Sequence, residues 1–164
     1  MKNNMLLAAS LGLMAMQGTA DAEDAMVVQV KRLSLETAQK IAYGAIEACR
    51  AKGIQIGVTV VDRDGTAQAV LRDTIASPLT LDISRQKAYT AANFNAATSS
   101  MADRADTPVG RFGDLVMSAG GLPIQIGGSL VGAVGVSGAP AGETDEQCAQ
   151  AGIDTVKDDL EMAM

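Results

Sequence analysis

Apolar and polar positions alternate with period two over Ile54, Ile56, Val58 and Val60, separated by Gln55, Gly57 and Thr59, the pattern of a half-buried strand. Asp62-Arg63-Asp64-Gly65 follows with turn chemistry, including a glycine where a positive φ is needed. Residues 66–72 then return with Ala67, Ala69 and Leu71 on one face and Gln68, Val70 and Arg72 on the other. Residues 54–72 thus predict a hairpin. A second hairpin is predicted where Leu122, Ile124 and Ile126 alternate, Gly127-Gly128-Ser129 breaks the run, and Leu130, Val134 and Val136 resume it more loosely. Pro123 cannot donate to a ladder and belongs at a strand start or on an edge. Gly132 and Gly135 imply a bulge, a bend, or a helix or ligand lying close on the backbone. A helix packed close is the plainer cause. A ligand pressed against bare backbone at Gly120-Gly121 and Ser137-Gly138 is the functional one. Val28 and Val30 alternate with Gln29 and Lys31, so residues 26–32 predict a first strand.

Helical spacing appears elsewhere. Ala38, Ile41, Ala42, Ala45, Ile46 and Cys49 fall on one face. Ser34 stands as cap, Glu36 in the first turn, and Arg50, Lys52 and Gly53 at the stop. Ser77-Pro78 starts a second helix, in which Ser84, Lys87, Ala88, Ala91 and Ala92 keep helical spacing to about Ala97. Residues 98–107 are polar and irregular, with room for one turn near Met101, and 112–117 admit either a short helix or a strand. Thr144-x-x-Gln147 matches a capping box, and Cys148, Gly152, Ile153, Val156 and Leu160 mark a closing helix. The predicted order β-α-β-β-α-β-β-α gives an α+β single domain, an antiparallel sheet of about five strands flanked by helices.

The N-terminus changes the boundaries. Lys2, an uncharged apolar run over residues 5–16, and Ala20-Asp21-Ala22 form the pattern of a secretory signal peptide. Residues 1–22 are set aside as that segment, with cleavage after Ala22, and 23–164 as the folded domain. The expected destination is the periplasm or the medium, with no membrane association after cleavage. The net charge of −6 and the lack of basic clusters argue against nucleic acid and anionic membrane surfaces. Phe94, Phe112, Tyr43 and Tyr89 are the aromatic residues, so the core must be built from aliphatic side chains. Histidine is absent. That removes the commonest general base, zinc ligand and haem ligand. Cys49 and Cys148 are the two cysteines. An oxidising compartment would allow them to pair, and two buried small apolar residues would look the same in sequence.

Several stretches, in this order and spacing, resemble the GlcG/HbpS-like family, which includes the C-terminal domain of PduO. They are Val58-Thr-Val-Val-Asp-Arg-Asp-Gly65, Arg72-Asp73, Ser84-Arg-Gln-Lys-Ala-Tyr-Thr-Ala91, Gly120-Gly-Leu-Pro123 and Gly132-Ala-Val-Gly-Val-Ser-Gly138. The resemblance implies a small domain with a helix-flanked antiparallel sheet, homo-oligomers of at least two chains, and haem as a ligand of better-studied members. No histidine is available here. An axial ligand would come from Tyr43, Tyr89, Met101, Met117, a cysteine or Lys87.

Arg72, Asp73, Lys87, Gly120, Gly121 and Gly138 are the candidate ligand-binding residues. Arg72 offers a planar fork for a carboxylate and Lys87 a point cation. Haem propionates and small organic acids both present carboxylates, so two binding readings stand: haem or a related tetrapyrrole, and a small organic carboxylate. The structural alternatives are an Arg72–Asp73 ion pair at a strand end and a solvated helix face for Lys87. Catalysis without histidine would fall to Asp73, Lys87 or Tyr89. Asp62 and Asp64 read as turn formers, and with Asp73 they match no known cation loop. The alanine face around Ala91 and Ala92 offers a seam for a second copy.

Overall fold

The computed structural model describes residues 26–163. The signal-peptide reading lies outside them. The chain divides into two units, residues 1–30 and 31–164. Residues 26–30 of the first form no strand, and neither do 31–32 of the second. Alternation becomes a strand only where a neighbour offers a ladder.

In the second unit, helix α1 spans Leu35–Arg50, strands β1 and β2 span Gly57–Asp62 and Ala67–Arg72, and helix α2 spans Leu79–Phe94. A 3₁₀ turn at Thr98–Arg104 leads to β3 (Gly121–Ile126) and β4 (Ser129–Ser137), then α3 (Gly142–Asp154) and α4 (Lys157–Met162). The sheet has four strands, not about five, in the order β2-β1-β4-β3. Every pairing is antiparallel. Both predicted hairpins are present, joined in the middle by β1 against β4.

Helices α1 and α3 cover one face. Val58, Val60, Val134 and Val136 point into a core closed by Ile41, Ile46, Ile124 and Ala149. Cys49 and Cys148 form a disulfide between these helices, with a Cα–Cα distance of 5.6 Å. Helix α2 covers the other face and packs far closer. A Cβ at Gly135 would fall on the Ser84 carbonyl oxygen and 2.5 Å from the Ala88 backbone nitrogen. Gly135 thus lets the helix lie on bare strand. Ala88, Ala91 and Ala92 bury themselves on Val61 and Ala133 of the chain's own sheet. This corrects the seam reading, because those alanines are already covered.

Local signals fared unevenly. Ser34 caps α1 through the Thr37 amide. Ser77 Oγ accepts from the Leu79 amide, and α2 stops at Asn95 in the left-handed region (φ 48°) rather than near Ala97. The expected capping box does not form. Ala141 takes the cap position without a side-chain bond, leaving Thr144 inside α3. The closing helix is two helices, because the chain leaves α3 at Thr155 and restarts after Val156. Residues 112–117 are neither helix nor strand.

Candidate functional site

The antiparallel register carries several of the predicted residues to one end of the sheet. Arg72 lies opposite Gly57, Gly57 lies opposite Ser137, and β3 begins at Gly121 opposite Gly135. Arg72 and Gly138 are exposed there, whereas Asp73, Lys87, Gly120 and Gly121 are buried.

Lys87 is 4% exposed, so it is not on a solvated helix face. Its ammonium donates to the Val136 carbonyl and to Asp145 Oδ2, both at 3.0 Å. Asp145 comes from the opposite helical layer, and its Oδ1 accepts from the Ala139 amide at 2.9 Å. The pair therefore ties α2 to α3 past the end of β4. Burial pushes the Asp145 carboxyl up, against the Ala139 amide and Lys87, which act the other way. Gly120, at φ 124°, leaves room for this pair. A Cβ there would stand 2.6 Å from Lys87 Nζ. At Gly121 a side chain would meet the Lys87 carbonyl and, at 2.7 Å, the Thr98 methyl. The chain's own atoms thus fill the close approaches at Gly120-Gly121. Asp145 escaped sequence reading because an acid in the first turn of a helix is ordinarily a dipole partner.

Arg72 and Asp73 do not pair through their side chains. Arg72 Nη1 donates to the Ala76 carbonyl. Asp73 is held by Arg50, Nε to Oδ2 at 2.7 Å and Nη2 to Oδ1 at 2.8 Å. This bidentate fork and the Thr74 amide hold the Asp73 carboxyl below its ordinary range, burial opposing them. The Arg50 guanidinium is correspondingly pushed up, mainly by Asp73, with Tyr43 and Glu47 adding to it. Glu47 lies 2.9 Å from Arg50 Nη1. Asp62 is a turn former, accepting from the Asp64 and Thr66 amides. Both Asp62 and Asp64 meet Arg32. Among the described residues no group of three or more acidic, cysteine or histidine side chains is placed to hold a metal.

The exposed side of α1 carries a feature that the residue pattern did not announce. Tyr43 is 57% exposed there and stands between two mostly apolar clefts. One, of about 550 Å³, reaches Leu71 of β2 past Glu36, Gln39 and Lys40. The other, of about 600 Å³, runs toward α3 over Gly44, Ala48 and Ala151, with Lys40 and Thr155 at its margins. Both are shallow and open to solvent, unlike the concave pockets that bury most of a small ligand.

The family described as haem degrading protein HbpS-like matches residues 33–154. This chain belongs to that family. Among solved structures of similar fold is a double mutant of HbpS from Streptomyces reticuli, 36% identical, with a TM-score of 0.77 over 85% of this chain and 97% of that one. The ORFY protein of Klebsiella pneumoniae is 26% identical, with a TM-score of 0.75 over 81% and 96%. A complex of PduOC with heme is 25% identical, with a TM-score of 0.69 over 75% and 94%. A 15.0 kDa protein from the dhaT–dhaS intergenic region of Citrobacter freundii is 32% identical over 137 residues, which cover 77% of this chain and 93% of that one.

Haem can be tested against the donors this HbpS-like chain presents. The cysteines are spent on their disulfide. Lys87 is engaged by Asp145. Met101 and Met117 are buried, at 3% and 5% exposure. Tyr89 packs over Gly65. Tyr43 remains as an exposed oxygen donor, near Arg50 and beside open apolar surface, and a tyrosine is an established protein ligand for haem iron. One oxygen donor thus suits the iron, whereas the open surface beside it does not by itself enclose the macrocycle.

Proposed function

We propose that this chain is an exported binding protein for haem or a related tetrapyrrole, working as a homo-oligomer of at least two copies. The observation that carries the reading is membership of the HbpS-like family, together with a heme complex of the similar PduOC fold. The Cys49–Cys148 bond supports export, since disulfides persist in oxidising compartments. When bound, haem would supply an iron centre, and the chain's residues would bind and orient it. Haemin titration of the purified protein tests the reading. A saturable Soret shift is expected, and a spectrum matching nonspecific haemin on albumin would overturn it. Two further measurements complete the test. The N-terminal residue of exported protein should be Glu23, and light scattering across a dilution series should give at least twice the mass of one chain.

A small organic carboxylate is the second reading, favoured by one observation. Arg72 is exposed and has no carboxylate partner among the described residues, while Gly138 is exposed at the same end of the sheet. A thermal-shift screen of organic acids, with Arg72→Ala as control, decides it. Equal responses in both proteins exclude Arg72.

A further inference from the structure

We propose that the open edge of β2, with the exposed side of α1 beside it, is the two-fold interface through which two copies of this chain pair. This rests on the homo-oligomer reading above and gives that reading its surface. It differs from the sequence-based seam at Ala91 and Ala92, which the chain's own sheet covers.

The two edges of the sheet are built differently. In β3 the Gly120 carbonyl accepts from the Val136 amide at 2.8 Å, so alternation turns the backbone of Gly121 and Pro123 outward. That edge is closed. Thr98 Oγ1 accepts from the Gly121 amide at 2.9 Å and donates to its carbonyl at 3.4 Å, and Pro123 has no N–H to offer. In β2 the Asp73 amide donates to the Ile56 carbonyl at 2.9 Å. Leu71 and Ala69 therefore bond toward β1, and the amides and carbonyls of Val70 and Arg72 turn outward. No strand of the described residues receives them. β2 holds no proline, and its register shift lies at the far end, before Ala69. An open antiparallel edge is complementary to itself about a two-fold axis. One open edge beside one closed edge permits a single pairing, so this contact closes at two copies rather than growing into a fibre.

Charge sets the register. Setting Val70 against the partner's Val70 places each Arg72 against the partner's Gln68 and keeps the two arginines about 13 Å apart. Setting Val70 against the partner's Arg72 would bring the two guanidinium stems to a diagonal of about 7–8 Å, where like charges repel. The first register also meets Val70 with an apolar neighbour, and Val70 is 48% exposed in one copy.

The helical layer fits the same axis. Helix α1 lies over β1 and β2. Pairing through β2 therefore sets α1 and the partner's α1 two strand spacings apart, about 10 Å, which is the distance at which helices pack. Between them falls the shallow cleft of Leu71, Glu36, Gln39, Lys40 and Tyr43, so the partner's α1 fills what one copy leaves open. The cleft on the α3 side of Tyr43 stays uncovered. Glu36 and Lys40 form no ion pair with a described residue. Antiparallel helices run Glu36 of one copy toward the partner's Lys40, so unlike charges meet. The helices also supply area. A six-residue strand edge is about 20 Å long and alone is too thin for the about 600 Å² that each copy of a stable pair buries.

The test is analytical ultracentrifugation of the full mature chain across a dilution series, with circular dichroism to confirm that each variant folds. Val70→Pro removes an amide that points outward and leaves the ladder to β1 intact, so it should weaken association at least about tenfold. Glu36→Lys and Lys40→Glu should each weaken it several-fold at low salt, and mixing the two variants should restore it, because unlike charges then meet only between different chains. Facing residues of a hydrogen-bonded antiparallel pair have Cα atoms about 5.5 Å apart, within disulfide reach. Val70→Cys should therefore give a covalent dimer on oxidation and Arg72→Cys should not. The native Cys49–Cys148 bond leaves no other free thiol. Wild-type association in Val70→Pro, no recovery in the mixture, or no covalent dimer from Val70→Cys overturns this interface, and the homo-oligomer reading then stands on another surface. A wild type that stays at the mass of one chain overturns both together.

Discussion

The two faces of the sheet are held by different physics. On the α1/α3 face, branched side chains keep the helices off the strands, and the one covalent link, Cys49–Cys148, joins helix to helix. On the α2 face, glycine and alanine bring a helix down onto backbone, and the strongest polar contact is a buried ion pair that leaves the layer altogether to reach α3. Each face also carries a carboxylate with its cation. Arg50–Asp73 sits at the rim, with the Arg50 side chain 43% exposed over an Asp73 side chain at 2%, whereas Lys87–Asp145 is sealed on both sides at 5% and 4%. At the rim, water can enter the space that the exposed Arg50 side chain would vacate and rehydrate its buried Asp73 partner, which softens the loss. A sealed pair cannot be halved without leaving a charge in a dry place.

Removing the disulfide is the largest expected perturbation of the first face. The bond closes a loop with a sequence separation of 99, for which the chain-entropy model gives about 4–5 kcal/mol. The Cys49→Ala/Cys148→Ala double variant, measured by urea denaturation, should lose a large part of that. Loss below about 1 kcal/mol would mean that the packed Ile and Val side chains alone hold α1 to α3, and the contrast between the faces would weaken.

On the second face, Asp145→Ala should cost about 3–5 kcal/mol. It leaves the Lys87 ammonium buried with only the Val136 carbonyl and strips the Ala139 amide of its acceptor. Lys87→Met should be milder, since Asp145 can then take up a proton and keep the Ala139 bond. Chemical denaturation of both variants gives the comparison. Equal losses would show that the pair acts as a simple two-body contact.

These contrasts also mark what the residue pattern could convey. Both hairpins and the spans of α1 and α2 were legible because each is written in local periodicity and in start signals such as Ser34 and Ser77-Pro78, although Pro78 rather than Ser77 takes the cap position of α2. Gly135 was legible as a close approach, since few other causes put glycine inside a strand. The cysteine pair was readable only as a possibility, because pairing depends on two helices being neighbours. Lys87 looked like a surface cation because nothing in its own helix reveals Asp145, 58 residues further on. Arg50 looked like a helix terminus charge for the same reason. The two clefts beside Tyr43 were invisible because one is walled by α1 and β2 and the other by α1 and α3, and only the fold brings these together. The missing first strand and the broken closing helix show the opposite error, in which local pattern overstated what tertiary packing would use.

The smallest expected effect, and the sharpest, is the pH dependence of the two carboxylates. The Asp73 carboxyl is held below its ordinary value, first by the Arg50 hydrogen bonds. Between its folded value and the ordinary carboxyl range near pH 4, the unfolded chain therefore binds more protons. Its contribution to stability is present above that range and is lost as the pH falls through the folded value. The Asp145 carboxyl is pushed up, first by burial, so between the ordinary range and its folded value the folded chain binds more protons. Its contribution thus falls as the pH rises through that window. Stability measured from acid to neutral pH for wild type, Asp73→Asn and Asp145→Asn separates the two. The wild-type advantage over Asp73→Asn should grow with pH, and that over Asp145→Asn should shrink. Parallel slopes would mean that the rim pair and the sealed pair share one electrostatic environment, and the distinction between the faces would not hold for charge.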